Sequence, residues 1–423
     1  MARAMRDSGI EWIGEIPKDW EIVKYKHICQ TQNGYPFDSD KFSLSDGFPL
    51  IRIRDITSGE IETFYNGEYD ESYVVKSNDL LVGMDGDFNI RWWSNQDALL
   101  NQRCMRINPI NGIVKRFLYY TLPFQLKIIN DLTYATTVKH LSHYSVYDAK
   151  LAIPEIAEQQ KIADFLDEKT VHIDSIISQT KESIEAFKAY KQALITESVT
   201  KGLNPEVQMK DSGVKWIGEI PEHWDISRIG KIYDVILGKM LSAEKKGDDW
   251  TFERYICAAN VHFDGVDTSS LKSMWFSPRD KENLEVKWGD LLIVEGGAGA
   301  GGSSLYLSEE TNIFIQNSIN IVRSKSERGN TRYAYYLMHS LVKNGYIDFI
   351  SSKATFAHFT KEKVQAVPYP VIPVSEQQQI VDFLDEKTAH IDSLIADKQK
   401  MVQELEIYKK SLIYEYVTGK KEV

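Results

Sequence analysis

Cysteine is scarce in this chain: Cys29, Cys104 and Cys257 are the three among 423 residues. An odd number, widely spaced and with no C-x-x-C pair, gives neither a disulfide framework nor a structural zinc site, and reads as reduced thiols. No run approaches the roughly 18 apolar residues of a membrane span, and the first residues lack the apolar stretch of an export signal. The expectation is a soluble, cytoplasmic protein. Net positive charge is also missing, since the formal balance is −11, which argues at first against phosphate binding. Phosphate-loop (G-x-x-x-x-G-K) and adenine-methyltransferase (N-P-P-[YF]) motifs are absent as well, so no standard route to catalysis runs through this chain.

What the chain does have, it has twice. Arg6-Asp-Ser-Gly-Ile-Glu-Trp-Ile-Gly-Glu-Ile-Pro17 returns as Lys210-Asp-Ser-Gly-Val-Lys-Trp-Ile-Gly-Glu-Ile-Pro221, with Trp20 matched by Trp224. Glu158-Gln-Gln-Lys-Ile-Ala-Asp-Phe-Leu-Asp-Glu-Lys-Thr170 recurs as Glu376-Gln-Gln-Gln-Ile-Val-Asp-Phe-Leu-Asp-Glu-Lys-Thr388, and His-Ile-Asp-Ser follows both. Near-identical segments bracket poorly matching ones, so one scaffold presents two different surfaces.

From Glu158 to about Val199 there is no Gly or Pro, which predicts a helix of about 40 residues, ~60 Å long. Leu166, Ile173, Phe187 and Leu194 follow a seven-residue spacing, with Ile177 and Ile184 on the same stripe. Leu384, Ile391, Ile395, Val402, Leu405 and Leu412 form the second stripe. Such a period is the seam of a coiled coil, and a closed twofold repeat makes the helices antiparallel. Thr180, Lys191, Lys398 and Lys409 interrupt the stripes and are candidates for fixing register. The globules read as mixed α/β with a strand bias. Pro49 to Arg54 alternates apolar and basic residues like a half-buried strand, Asp79-Leu-Leu-Val82 matches Asp290-Leu-Leu-Ile293 as a buried strand, and Phe117–Tyr120 matches Tyr333–Tyr336 in a short helix. The predicted fold is α+β: two mixed globules joined by two long helices, with globule 1–157, helix 158–201, globule 202–375 and helix 376–423.

Charge is unevenly placed. Asn101 to His140 carries Arg103, Arg106, Lys115, Arg116, Lys127 and Lys139 against Asp131, a net +5. Ile315 to His358 carries Arg323, Lys325, Arg328, Arg332, Lys343 and Lys353 against Glu327 and Asp348, a net +4. His140 and His358 close the matched polar segments Thr136–His140 and Ala354–His358; without Cys or carboxylate partners at ligand spacing they suit DNA contact better than metal. Gly297, Gly299 and Gly302 satisfy G-x-G-x-x-G after a strand, but a second strand follows instead of a helix, so the segment reads as a loop able to approach a ligand closely. Asp280 with Glu285 and Lys287 mimics a metal-nuclease pattern that the first half lacks.

The E-Q-Q-x-I segments, the D-L-L strands, the D-S-G-x-x-W-I-G-E-I-P openings and the globule-helix-globule-helix plan together resemble the DNA specificity subunit of Type I restriction-modification systems, over the whole chain. The resemblance implies two target recognition domains, each reading one half of a bipartite site in double-stranded DNA. It further implies two methyltransferase subunits and two restriction subunits as partners, which would hold S-adenosylmethionine, ATP and magnesium, and no cofactor or catalysis on this chain. On that reading, position and chemistry nominate Arg103, Lys139, Arg323 and Lys353 for phosphates. Arg52, Arg54, Asn89, Arg91, Asn317 and Thr355 are nominated for bases, with Thr137, His140, Gly299 and His358 in the same surfaces. The alternatives are a self-contained nuclease and a coiled-coil adaptor without sequence preference.

Overall fold

The computed structural model describes residues 3–133, 139–297, 299–325, 329–350 and 358–423. These form two compact units, Met1–Thr180 with Lys400–Val423, and Lys181–Gln399. In unit 1, strands β1 (Cys29–Asn33), β2 (Leu80–Gly83), β3 (Ile90–Trp92) and β4 (Cys104–Pro109) make an antiparallel sheet in the order β3-β2-β4-β1. Helix α1 (Lys115–Leu132) packs on one face, while a second sheet of five short strands, Phe42–Ser43 to Ala98–Leu100, completes the unit. Helix α2 (Ile156–Lys201) leaves it.

Unit 2 repeats the plan. Strands β5 (Tyr233–Leu237), β6 (Leu291–Val294), β7 (Ser303–Leu305) and β8 (Ile319–Ser324) run in the order β7-β6-β8-β5, with α3 (Thr331–Lys343) in the place of α1 and α4 (Val374–Val417) as the second long helix. The D-L-L motif owes its recurrence to a turn. Asn78 and Gly289 both take a positive φ, and the Asp79 and Asp290 carboxylates fold back to accept the Lys76 and Lys287 amides at 3.0 and 2.7 Å. That turn aims β2 and β6, whose residues are fully buried, into the centre of each sheet. The helix containing Phe117–Tyr120 is longer than its sequence suggests, because Pro123 sits inside it without ending it.

The heptad stripes are seams. In unit 1, Leu166, Ile173 and Ile177 bury against Val402, Leu405 and Leu412; in unit 2, Ile184, Phe187 and Leu194 join Ile391 and Ile395, while Leu384 enters the domain core. Within each unit the helices run antiparallel: Phe165 meets Tyr416 and Asp174 meets Lys409, while Phe187 meets Lys398 and Lys191 meets Asp392. The two lysines with the strongest claim to register therefore find carboxylates on the facing helix. Thr180 instead bonds the Ile176 carbonyl, and the Lys398 ammonium lies over the Phe187 ring. The last turn of α4 closes unit 1, with the Tyr414 hydroxyl donating to the Trp12 carbonyl and Lys420 Nζ to that of Ile13.

One expected strand is different. Phe48–Ile51 is a strand, but Ile53–Ser58 is a helix, begun by the Asp55 carboxylate accepting the Arg52 amide and ended by Gly59 at positive φ. Alternation of apolar and basic residues was the wrong guide here, because the local Asp55 cap outweighs it.

Candidate nucleic-acid interface

Both sheets end in the same cluster of loops, tied by main-chain hydrogen bonds. In unit 1 the Met84 amide donates to the Arg103 carbonyl, Leu141 to Met84 and Gly86 to Lys139, which brings segments 84–89, 101–103 and 139–141 to one rim. In unit 2 Glu295 donates to Ser318, Phe359 to Glu295 and Asn317 to Lys239, gathering segments 295–302, 316–318 and 358–359 with the 238–239 crossing. Asp85 pairs with His140 as Gly296 pairs with His358. At each rim the chain steps between the two sheets at a glycine, Gly34 or Gly238, whose added Cβ would lie 2.1 Å from the Asn101 carbonyl oxygen or 2.3 Å from that of Gln316. Only a residue without a side chain permits that approach.

The rims differ in chemistry. Unit 1 shows Arg103 and His140 converging on Asp85, at 3.4 and 2.7 Å, with both side chains half exposed. Unit 2 replaces Asp85 by Gly296, and beyond the glycines β6 is followed by antiparallel strand β7, where a dinucleotide fingerprint needs a helix. Beneath the rims, Met84, Ile90 and Met105 in unit 1 correspond by register to Glu295, Ser303 and Asn320 in unit 2; burial raises the Glu295 carboxyl above its ordinary range.

Of the nominated residues, Arg103, Lys139 and His140 gather at the first rim and Gly299, Asn317 and His358 at the second. Lys139 is already occupied by the Asn130 carbonyl and side chain, and Asn317 accepts from Gln316. Asn89 is exposed and donates to Thr57. Arg52 and Arg54 lie on or before the short helix and do not share a strand face; Arg54 pairs with Glu62 at 3.1 Å. Arg91 donates to the Ile56 and Thr57 carbonyls and closes that helix, so its guanidinium holds protein structure. Arg323 lies away from the rim: its half-buried fork grips Asp290 at 2.8 and 2.6 Å at the far strand end, and this pairing raises its pKa. Thr137, Lys353 and Thr355 lie outside the described residues. The nuclease-like trio does not converge either: Asp280 pairs with Lys239 and caps Ser277, while Glu285 accepts the Asn312 amide.

A family model described as the Type I restriction modification DNA specificity domain matches residues 17–186 and again 221–404. The chain belongs to that DNA specificity family. Relatives within it include the Type I restriction enzyme EcoBI specificity subunit of Escherichia coli, 27% identical with 93% of this chain and 84% of that one covered, and the MjaVIII specificity subunit of Methanocaldococcus jannaschii, 23% identical with 96% and 93% covered. Two solved chains share the fold. One comes from work on complex assembly and conformational transition of the type I R-M system, with a TM-score of 0.70 at 17% identity, covering 95% of this chain and 98% of that one. The other is the HsdS subunit of Thermoanaerobacter tengcongensis, TM-score 0.51 at 15% identity, covering 96% and 98%.

The signature segments of this specificity family turn out to be joinery. The first Glu of E-Q-Q accepts an indole N–H, Glu158 from Trp20 at 3.3 Å and Glu376 from Trp224 at 3.1 Å. The next Gln, fully buried, bonds the Pro154 or Ile372 carbonyl and accepts the Val114 or Asn330 amide at the start of α1 or α3. Two turns on, Asp167 binds Arg116 and Tyr120, and Thr170 also meets that phenol; Asp385, Arg332, Tyr336 and Thr388 repeat the set. Sequence reasoning missed these quartets, although D-x-x-T two turns after E-Q-Q, and R-x-x-x-Y across the facing helix, were visible signals.

Close by, His339 is pushed down from 6.5 to about 4 by burial, with Lys191 and Lys343 opposing its charge and Asp392 favouring it. A folded value below the unfolded one means that the neutral ring is selected. Its contribution to stability is complete above about pH 6.5 and is lost as pH falls toward 4. Denaturant melts at pH 7 and pH 5 should show unit 2 losing on the order of 2 kcal/mol, and His339→Phe should flatten that difference.

Proposed function

We propose that this chain reads a two-part site in double-stranded DNA, one half with each loop rim, while its long helices hold the readers at a set interval and dock methyltransferase and restriction subunits. The observation that carries the reading is the pairing of like scaffolds with unlike rims: Asp85, Arg103 and His140 on one, the Gly296–Gly302 turn with Asn317 and His358 on the other. Family membership supports the DNA role. Two methyltransferase and two restriction subunits are the stoichiometry proposed, with S-adenosylmethionine, ATP and magnesium on those partners and catalysis theirs.

Sequencing methylated bases in a host with and without the gene tests this. A split motif methylated in both halves and lost on deletion is expected; a continuous motif, or no change, removes the proposal. The interval follows from the helices, since four residues add ~6 Å, or about two base pairs. Inserting four residues into both α2 and α4 should lengthen the preferred gap by about two base pairs, read by methylation of duplexes with graded gaps. A preference that stays at the original gap refutes the ruler.

A further inference from the structure

The two units differ at one joint beside their D-L-L strands. Trp92 on β3 faces Leu80, and Leu305 on β7 faces Leu291, each partner being the first leucine of D-L-L, so Trp92 and Leu305 hold the same place. In unit 1 the Trp92 ring lies beneath the Arg116 guanidinium, 4.4 Å from Cζ to centroid, with the Tyr119 ring edge-on at 5.9 Å. In unit 2 the same residue types recur. Arg332 and Tyr335 stand for Arg116 and Tyr119, and Asp385 holds Arg332 at 2.7 Å. The indole is gone, and a hollow of about 410 Å³ opens beside Leu305, Phe263, Arg332 and Tyr335.

Among the described residues no ring covers the Arg332 guanidinium, and beside Leu305 and Phe263 it can take a planar ring, because the ring quadrupole and the cation attract. The walls set the neighbours of that ring. Around the opening Lys191 pairs with Asp392 and Arg332 with Asp385, which leaves Asp264 to favour a cationic flank. Leu305 also lies at the strand end away from the Gly296–Gly302 rim, which sets the hollow apart from the proposed DNA surface. We infer that the hollow between Leu305, Arg332 and Tyr335 is a docking slot for an aromatic side chain carried in a basic segment of a partner protein. Unit 1 fills its equivalent from within, so docking of this kind is confined to unit 2. The inference rests on the reading that this chain works within a protein assembly.

The test uses the full chain with two plugs. Leu305→Trp restores the internal indole, and Ala389→Trp, at an exposed position of α4 on the slot's edge, blocks it from outside. Association with the methyltransferase and with the restriction subunit is measured separately, and N-acetyl-tryptophanamide is titrated as a probe. The wild type should bind the probe, the probe should compete with one subunit, and both plugs should weaken that subunit by ~10-fold or more while melting as the wild type does. Should one plug fail to fold, the other plug and the competition assay still decide. Unaltered association of both subunits with folded variants, or no probe binding, overturns the slot. A wild-type chain that binds neither subunit instead overturns the assembly reading beneath it.

Discussion

Gly238→Ala should abolish reading of one half-site while leaving the other intact, and Gly34→Ala should do the converse. The added methyl would sit 2.3 Å from the Gln316 carbonyl oxygen in the first case and 2.1 Å from that of Asn101 in the second, against backbone that cannot rotate away as a side chain could. The main-chain bonds on either side, Gly238 to Ile319 and Lys239 to Ile315, or Gly34 to Cys104 and Tyr35 to Leu100, must then break or shift. Overpacking of this kind costs ~3 kcal/mol or more, and the strain falls on the crossing that positions the rim. Gel shifts with duplexes altered in one half at a time should therefore show at least about 100-fold weaker discrimination in the affected half. Full discrimination in both halves by either variant would show that the crossing does not position the rim.

Trp224→Ala is expected to destabilise unit 2 by ~3–5 kcal/mol, and Trp20→Ala to do the same to unit 1. Both rings are essentially unexposed, each beside a glycine of positive φ just after a long helix, Gly202 and Gly419 respectively. Trp224→Phe separates packing from the hydrogen bond: it keeps most of the apolar contact but leaves Glu376 with only His223, at 3.0 Å, and should cost ~1–2 kcal/mol. Urea melts followed by fluorescence would give these values. Equal losses for Ala and Phe would mean that the indole–carboxylate bond, and not the burial, dominates.

The scaffold was legible because its physics is local or periodic. A heptad stripe such as Leu166, Ile173 and Ile177 has one economical burial, and the N/G-D-L-L turn carries its own reason in the Asp79 and Asp290 carboxylates. Duplication then amplified both signals. The rims were harder to read. Basic residues nominated by position proved to have partners that the sequence does not announce: Arg323 with Asp290 and Arg91 with the Ile56 carbonyl, both more than 30 residues away, and Lys139 with Asn130. A string of residues shows charge but not who neutralises it. The short helix Ile53–Ser58 was hidden for a related reason, as one Asp55 hydrogen bond decided against an alternating pattern.

Unit 1 is assembled from both ends of the chain, since Lys400–Val423 completes it, whereas unit 2 is one continuous stretch of 219 residues, Lys181 to Gln399. During synthesis at ~5–20 residues per second, the earlier-made part of unit 1 must wait on the order of tens of seconds at the ribosome before Val402, Leu405 and Leu412 emerge to cover Leu166, Ile173 and Ile177. The apolar stripe of the first-translated half thus stays uncovered until those three residues emerge.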